Sequence, residues 1–411
     1  MRIVVAAALG AVILAAPAVG SAATTRLDRH GTVVLDGRKV FPIVLAKGPP
    51  ADGLAEVAAA GVNFLKVGPA GEWNDDEIAQ TVAANREAAA HGLHTWINLS
   101  SLSAVAPWGW RAELLRHVIG SLEADPSGSA IGLWKGADEP LKFRVSPSSL
   151  RSAYCLGTGR GRRSWCDGRE PFDTDHLWVT VQAPRGGILG LGSYSSVTDI
   201  HGINRYPVAI GDPDPNLRDV GLWTNKLGWA TPNGAVWATL QICWTWSYDA
   251  LGNFALPSRE QERFMAYSAI LNGARALAFY GGNNPKCWGP FDAVGGWNWT
   301  FWNDVLEPLV HEIGAASPLA PALVQPGSTK ALATSDPMTQ ATSRRGRGGE
   351  LWVIAARSGE ESEEVTITGL PRWAKRAEVY TEGRSVDAAK GALTDSFARW
   401  SVHVYRFLRP A

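Results

Sequence analysis

Between residue 41 and about residue 317, short apolar runs rich in β-branched and aromatic residues alternate with longer amphipathic or alanine-rich stretches. Eight apolar runs can be recognised: 41–46, 62–67, 94–99, 130–134, 177–182, 198–204, 236–242 and 276–280. Helical patterns lie between most of them and after the last: 53–60, 75–90, 110–122, 258–273 and 301–315. Alternating strands and helices predict a parallel sheet, and eight repeats predict its closure into a (β/α)8 TIM barrel. An open doubly wound sheet is the alternative.

The pattern changes in two places. Residues 143–176, between the fourth and fifth predicted strands, are polar and predict an elaborated loop, and the proline- and glycine-containing stretch 318–328 predicts a linker. Beyond it, short alternating runs separated by turn signals predict a small antiparallel all-β domain, a β-sandwich: 350–355, 364–368, 376–380 and 400–407. The predicted division is a signal peptide (1–23), the barrel (24–317), the linker (318–328) and the β domain (329–411).

The first residues have the pattern of a secretory signal peptide. Arg2 supplies a positive charge, residues 3–16 form an apolar core, and residues 20–23 are small, as a cleavage site requires. The apolar core is short for a membrane span, and no other long apolar stretch follows it. We therefore expect a secreted, extracellular protein with no membrane span in the mature chain; an uncleaved N-terminal anchor is the alternative.

Four cysteines follow this segment, and an even number in an exported chain permits disulfides. Cys155 and Cys166 flank a glycine- and arginine-rich insertion, so a bridge between them would staple it. Cys243 and Cys287 fall just after the last two predicted strands, which are neighbours in a closed barrel. Metal ligation is the weaker alternative, because the sequence has no C-x-x-C or H-x-x-x-H spacing. We expect two disulfides, no metal and no other cofactor.

The charge of the chain argues against some partners. Lysine plus arginine and aspartate plus glutamate are balanced at 39 each, so the formal net charge is zero. Such a chain offers no electrostatic footprint for a nucleic acid or an anionic membrane. We expect a monomer without a nucleic-acid partner.

Tryptophan is unusually frequent, with 19 in the chain. Many of these residues follow predicted strand ends, where the ligand-binding loops of a parallel barrel gather: Trp73, Trp108, Trp110, Trp244, Trp246, Trp288, Trp297 and Trp299. Indoles pack on the C–H faces of sugars, and their N–H groups donate to hydroxyls. The cluster predicts a carbohydrate-binding cleft, to which we also assign Tyr280 at the end of the eighth strand. Ordinary packing is the competing interpretation for any single tryptophan.

The sharpest local motif ends the fourth predicted strand and reads Gly132-Leu-Trp-Lys-Gly-Ala-Asp138-Glu139-Pro140. Paired acids at a barrel strand end are where a proton donor would be placed. Pro140 ends the strand and constrains the direction of Glu139. Two acids that cap the next helix or solvate a loop would be the ordinary structural alternative.

These residues resemble those of clan A glycoside hydrolases. The shared features are the W-x-x-x-[ND]-E-P ending of strand four, the stretch 202–207 (Gly-Ile-Asn-Arg-Tyr-Pro) and the final run 400–407, which is similar to the β-sandwich that follows many such barrels. The resemblance implies that Glu139 is the acid/base carboxylate and that Asp138 replaces an Asn that usually binds the sugar 2-hydroxyl. It also implies that Asn204 and Tyr206 face the substrate.

The chain departs from this clan at strand seven, where a Glu nucleophile is expected and Gln241 stands instead. An amide cannot form a glycosyl ester or act as a base, so Gln241 is predicted to bind ligand through its donor and acceptor. A second carboxylate must then come from elsewhere. Asp138 and Asp249 are the first choices, and Asp292 and Glu72 are the others.

The sequence therefore predicts a secreted glycoside hydrolase that cleaves O-glycosidic bonds of a poly- or oligosaccharide, with Glu139 as general acid/base. A non-catalytic carbohydrate-binding barrel is the alternative, and the Gln at strand seven supports it. A cell-wall structural protein whose β domain makes the contacts is a third hypothesis. Lys66, inside strand two, is predicted either to point into the barrel mouth or to pair with an acid there.

Overall fold

A computed structural model describes residues 23–328 and 332–409. Apart from Ala23, the predicted signal peptide lies outside the described residues. Three short strands come first: β1 (Thr25–Leu27), β2 (Val33–Leu35) and β3 (Arg38–Val40). The barrel strands follow: β4 (Ile43–Leu45), β5 (Phe64–Val67), β6 (His94–Asn98), β7 (Ile131–Asp138), β8 (Leu177–Gln182), β9 (Ile200–Asn204), β10 (Ala235–Gln241) and β11 (Ala274–Tyr280).

The eight strands β4 to β11 form a closed barrel in sequence order, with β11 pairing with β4. Every pair is parallel, as the alternating pattern predicts. Alternate side chains of the strands fill the lumen, where the indoles of Trp96 and Trp237 meet edge to face with ring centres 6.0 Å apart. The (β/α)8 prediction is confirmed.

The strands β1 to β3 close the bottom of the barrel and were not predicted. The Thr25 hydroxyl donates to the Gly132 carbonyl at 2.8 Å and accepts from the Leu177 amide at 2.9 Å, at the N-terminal ends of β7 and β8. Val33 and Leu35 join the apolar cluster of the lumen. This small sheet therefore covers the N-terminal face of the barrel, opposite the face where the strands end.

Helices cover the outside of the barrel: α1 (Leu54–Ala60), α2 (Asp75–Ala90), α3 (Trp110–Ala124), α4 (Pro147–Thr158), α5 (Ile188–Gly192), α6 (Arg218–Ala230), α7 (Arg259–Leu271), α8 (Pro290–Gly295), α9 (Trp299–Phe301), α10 (Glu307–Ile313) and α11 (Ala320–Leu323). The fifth repeat carries only the five-residue α5, in the glycine- and serine-rich stretch after β8. None of the helices in the described part of the chain could span a bilayer.

Both expected disulfides are present. Cys155 in α4 is bonded to Cys166, with their Cα atoms 5.5 Å apart, so the insertion between β7 and β8 is stapled onto a helix rather than being an open loop. Cys243 is bonded to Cys287 with a Cα separation of 6.2 Å. The second bridge ties the loop after β10 to the loop after β11.

The C-terminal residues form one continuous antiparallel sheet in the order β12-β15-β18-β17-β16-β19-β14-β13. Its strands are β12 (Ala333–Thr334), β13 (Thr339–Arg345), β14 (Leu351–Arg357), β15 (Glu363–Thr368), β16 (Arg376–Val379), β17 (Arg384–Ala389), β18 (Ala392–Phe397) and β19 (Val402–Phe407). The antiparallel class agrees with the prediction, but four of these strands were not expected. Polar, half-exposed strands such as β17 and β18 carry too few apolar positions to be recognised.

The stretch 318–328 is not the open linker that its composition suggested. It contains α11, and Leu319 and Leu323 are fully buried in the same apolar cluster as Trp352 of β14. Arg263 of α7 also donates to the Val402 carbonyl of β19 at 2.6 Å. The sheet therefore packs directly on the helices of the barrel.

Candidate functional site

A cavity of about 600 Å³ opens at the C-terminal face of the barrel. Trp96 and Thr239, from within β6 and β10, line its deep end, so the cavity reaches into the lumen. Seven of the residues proposed from the sequence lie around it: Asp138, Glu139, Asn204, Tyr206, Trp244, Trp246 and Tyr280. The volume falls in the range of small-molecule sites.

Glu139 lies on one wall of the cavity and has an unusual backbone conformation. The register between β7 and β8 shifts between Lys135 and Asp138, and Glu139 adopts a left-handed φ of 48° while its amide donates to the Val181 carbonyl at 2.6 Å. A left-handed non-glycine residue costs roughly 1–2 kcal/mol, and such strain concentrates at functional sites. The shift turns the last residues of β7 toward the cavity.

The Glu139 side chain is held at both oxygens and is 15% exposed. The Asn204 amide, at the end of β9, donates to one oxygen at 3.1 Å, and the Lys142 ammonium pairs with the other. The carboxyl therefore has a fixed direction while one side stays open to solvent. A fixed, reachable carboxyl is what proton transfer to a bound ligand requires.

Two lysines lie deeper in the cavity. Lys135 is buried, and its ammonium lies 3.3 Å from an Asp138 oxygen; burial lowers the pKa of Lys135, and Asp138 acts against that shift. Lys66 also lines the cavity, and burial together with the nearby charges of Lys135 and Lys47 lowers its pKa to about 7. Of the two possibilities for Lys66, the structure therefore has it facing the barrel mouth.

The opposite wall is aromatic. Tyr206 stacks on Tyr280 with ring centres 5.6 Å apart and planes 9° apart, and it contacts Trp244, whose ring centre is also 5.6 Å away. Trp246 extends this array to the rim, where its side chain is 64% exposed. Burial raises the pKa of Tyr206 well above its usual value, and the neighbouring Tyr280 adds to the shift. Burial also raises the pKa of Tyr280, so both phenols stay neutral and can donate hydrogen bonds.

Gln241 does not reach the cavity. It is fully buried, its carbonyl accepts from the Val208 amide at 2.8 Å, and its amide donates to the Val208 carbonyl at 2.8 Å. The loop after β9 thus folds across the end of β10 and uses both polar atoms of the side chain. The placement of Gln241 as a ligand contact is wrong, because its hydrogen bonds are already made within the protein.

The other proposed carboxylates also lie elsewhere. Asp249 is outside the cavity lining, where it accepts from the backbone and side chain of Asn253 and closes a loop. Asp292 is buried and caps the start of α8 through the Gly289 amide. Glu72 is exposed on the surface. Among the described residues that line the cavity, Asp138 is therefore the only carboxylate besides Glu139.

Six of the eight proposed tryptophans are outside the cavity lining. Trp110 is exposed at the start of α3, and the Trp299 indole donates to the Gly295 carbonyl. The indole N–H groups of Trp73, Trp288 and Trp297 donate to the backbone carbonyls of Asn98, Gly282 and Lys47, which fixes these rings in the loop framework. Trp108 is exposed on another face, where its indole N–H donates to Asp167 and Arg169 lies over its ring. Loop position alone did not reveal whether an indole had a partner within the protein.

Sequence reasoning also missed several residues of the site. Lys135 and Trp96 face the cavity from mid-strand positions, and the alternation of β6 and β7 would have placed both in the lumen. Lys142 and Phe143 come from the start of the insertion after β7, and Tyr248 comes from the loop after β10. The insertion residues carry no periodic signal.

One group in the described residues has the composition of a metal site, at the other end of the barrel. The ligand atoms of Glu123, Asp173 and His176 lie within 4.8 Å of one another. However, Asp173 already accepts from the His176 ring nitrogen at 3.0 Å and from the Trp134 indole at 2.5 Å. These hydrogen bonds account for the cluster as part of the packing around β7 and β8.

Comparison with known proteins bears on the fold. The solved structures similar to this chain include an α-amylase from Geobacillus thermoleovorans, described in complex with acarbose, with 13% sequence identity over 88% of this chain and 92% of that one and a TM-score of 0.57. They also include a family 5 glycoside hydrolase from Bacteroides vulgatus, with 12% identity, coverage of 94% and 93%, and a TM-score of 0.56. The chain shares with these glycoside hydrolases the fold of a (β/α)8 barrel followed by an antiparallel sheet. No protein-family model and no curated protein sequence matches it.

Proposed function

We propose that the protein is a secreted glycoside hydrolase that cleaves O-glycosidic bonds of a poly- or oligosaccharide at the cavity above the barrel. The observation that carries this proposal is the Glu139 carboxyl, which Asn204 orients and whose backbone is strained. It lies opposite the array of Tyr206, Tyr280 and Trp244. The aromatic rings offer stacking surfaces for sugar rings. The carboxyl offers a proton donor at the bond between them.

Glu139 would act as the general acid, passing its proton to the leaving oxygen as the glycosidic bond breaks. Asn204 orients the carboxyl, and the Lys142 ammonium stabilises the carboxylate that remains. Asp138 is the candidate for the second role. It would either take a proton from a water as that water attacks the anomeric carbon, or accept from the N–H of a substrate acetamido group whose oxygen attacks that carbon.

The test of Glu139 is the Glu139→Gln variant, with Glu72→Gln as its matched control. Glutamine keeps the size of the side chain but carries no transferable proton, so we expect kcat to fall by about 10²- to 10⁴-fold with sugar binding retained. Glu72 is exposed and outside the cavity, so its variant should keep wild-type activity. Full activity of Glu139→Gln on the best substrate of a glycan panel would refute the assignment.

The role of Asp138 can be separated by the stereochemistry of the product. Attack by a water held at Asp138 gives inversion of the anomeric centre, whereas attack by an acetamido group gives retention and restricts the enzyme to N-acetylated sugars. Proton NMR of the first product resolves the two cases. Asp138→Asn should lower the rate in both, and Asp249→Asn in neither, because Asp249 closes a loop outside the cavity.

One observation favours a second function, a non-catalytic carbohydrate-binding barrel. Gln241 occupies the strand-seven position and is committed to Val208, so no carboxylate stands there. Under this alternative the wild type and Glu139→Gln would bind the same glycans equally, and neither would release sugar from any member of the panel.

The predicted signal peptide is the basis for secretion, and the two disulfides suit an oxidising compartment. Full-length protein expressed with residues 1–23 should appear outside the cytoplasm with its N-terminus near residue 24. Mass spectrometry of the exported chain measures this directly.

A further inference from the structure

The cleft contains a positive charge without a counter-charge. Lys66 of β5 lies on the wall between the 600 Å³ cavity and a neighbouring cavity of about 390 Å³. Lys135 is paired with Asp138, and Lys142 with Glu139. Among the described residues, no carboxylate lies within 4.0 Å of the Lys66 ammonium.

The surroundings of Lys66 make this charge unfavourable in the free protein. Lys135 and Lys47 are close enough to repel it, and Asp138, which attracts it, is already paired with Lys135. A partly buried charge that lacks a partner is costly. A ligand that brings a negative group to this point would remove the cost, and the site would favour that ligand over its neutral counterpart.

The neighbouring cavity has room for part of such a ligand. Its lining is largely apolar, with Pro49, Leu54 and Leu65 among its walls, while Asn283 supplies an amide group. An apolar surface with a few convergent polar groups suits a sugar ring. A saccharide that spans both cavities would pass directly by Lys66.

We propose that the two cavities bind a saccharide with an anionic substituent, a carboxylate or a sulfate ester, and that the Lys66 ammonium pairs with that substituent. The inference rests on the proposed function, since it names the substrate class of the same site. A charge-assisted bond at this position gives selectivity for acidic over neutral glycans.

Calorimetry on the full chain tests the proposal. The probes are a uronic-acid-containing oligosaccharide, the same oligosaccharide with its carboxylates reduced to hydroxyls, and the reduced form after sulfation. Binding is measured with sulfur-linked, non-hydrolysable versions of the probes, so that no probe is consumed and the ion pair of Glu139 with Lys142 stays intact. We expect the acidic oligosaccharide, or its sulfated counterpart, to bind roughly tenfold more tightly than the reduced form at pH 6, which is the gain of one favourable charge-assisted contact.

Two variants identify the residue. Lys66→Met keeps most of the side-chain volume and should bring the acidic and reduced probes to within about twofold of each other. Lys226→Met is the matched control, since Lys226 lies on α6 over the Trp223 ring and outside both cavities. Lys226→Met should keep the tenfold preference.

The pH dependence of the preference gives a readout that needs no variant. The titratable and charged groups that line the two cavities around Lys66 are Lys47, Glu87, Lys135, Asp138, Glu139, Lys142, Arg205, Tyr206, Tyr248 and Tyr280. Burial and the charges of Lys135 and Lys47 lower the pKa of Lys66 to about 7, and a bound anion shifts it upward. The preference for the acidic probe should therefore be present at pH 6 and lost by pH 9.

The outcomes separate this inference from the proposed function. If the reduced form binds as tightly as both acidic forms, or if Lys66→Met keeps the preference, the inference is refuted, and Glu139-dependent hydrolysis of neutral glycans would still stand. If the acidic probe binds through Lys66 but no glycan is hydrolysed by the wild type, the inference stands and the hydrolase fails. A preference for the sulfated probe alone identifies the substituent as a sulfate ester.

Discussion

The substitution Gln241→Glu would place a carboxylate at strand seven, and the structure predicts that it destabilises the protein without creating a nucleophile. Gln241 is fully buried between the amide and the carbonyl of Val208, both at 2.8 Å. An ionised Glu would set an acceptor against that carbonyl. A protonated Glu keeps both hydrogen bonds, because its O–H donates where the glutamine N–H did.

The cost of Gln241→Glu follows from keeping that proton. Glu has a pKa of about 4.3 in an unfolded chain, which is roughly 2.7 units below pH 7. Keeping the introduced carboxyl protonated in the folded protein at pH 7 costs about 1.4 kcal/mol for each of these units. The loss of stability is therefore about 3.7 kcal/mol at pH 7 and about 0.2 kcal/mol at pH 4. The sign follows because the folded pKa is raised, so stability falls as pH rises above about 4.3.

Urea denaturation of the variant and the wild type at pH 4, 5.5 and 7 measures this difference. Gln241→Met is the control: it leaves the Val208 amide without an acceptor and should cost about 1–3 kcal/mol at every pH. An equal loss for Gln241→Glu at pH 4 and pH 7 would refute the reasoning. So would a gain of glycosidase activity, since it would mean that position 241 faces the substrate.

Three further predictions concern stability. Glu139→Gly should raise the free energy of unfolding by about 1 kcal/mol while abolishing activity, because glycine adopts the left-handed φ of 48° without strain; equal stability of the two proteins in urea would contradict this. Replacing Cys243 and Cys287 together by alanine opens a bridge with a sequence separation of 44 and should cost about 4 kcal/mol; a loss below about 1 kcal/mol would argue against that account. The buried Glu262 has no hydrogen-bond partner among the described residues, and burial raises its pKa well above the usual value. Glu262→Gln should therefore gain stability over the wild type by about 1.4 kcal/mol for each pH unit above pH 4.5. A difference between the urea midpoints that does not change with pH would contradict this prediction.

The barrel could be predicted because its signal is periodic. Each repeat combines a short apolar run with an amphipathic or alanine-rich stretch, and that pattern survives without knowledge of tertiary contacts. The strands β1 to β3 could not be predicted in this way. They are three residues long, and they are held by contacts such as that of Thr25 with Gly132, which lies 107 residues further along the chain.

The site was only partly predictable, for a similar reason. Strand ends place residues at the mouth of the barrel, and for Glu139 that information was enough, whereas Asn204 and Tyr206 were expected there from the resemblance to clan A glycoside hydrolases. Gln241 also ends a strand, but the loop after β9 covers it. The sequence around Gln241 does not indicate where that loop runs. Trp297 has the same ambiguity, since its N–H finds the Lys47 carbonyl 250 residues away instead of a ligand.

The backbone at Glu139 argues for function independently of any likeness to known proteins. The residue before a proline already disfavours helical conformations, and Glu139 precedes Pro140 in a left-handed one. A glycine at this position would relieve the strain. The ion pair with Lys142 offsets little of the strain energy, since exposed ion pairs contribute about 0–1 kcal/mol. The protein keeps a carboxyl at this position despite the strain, and the Asn204 amide donates to it. The best explanation is that the site requires the side chain of Glu139.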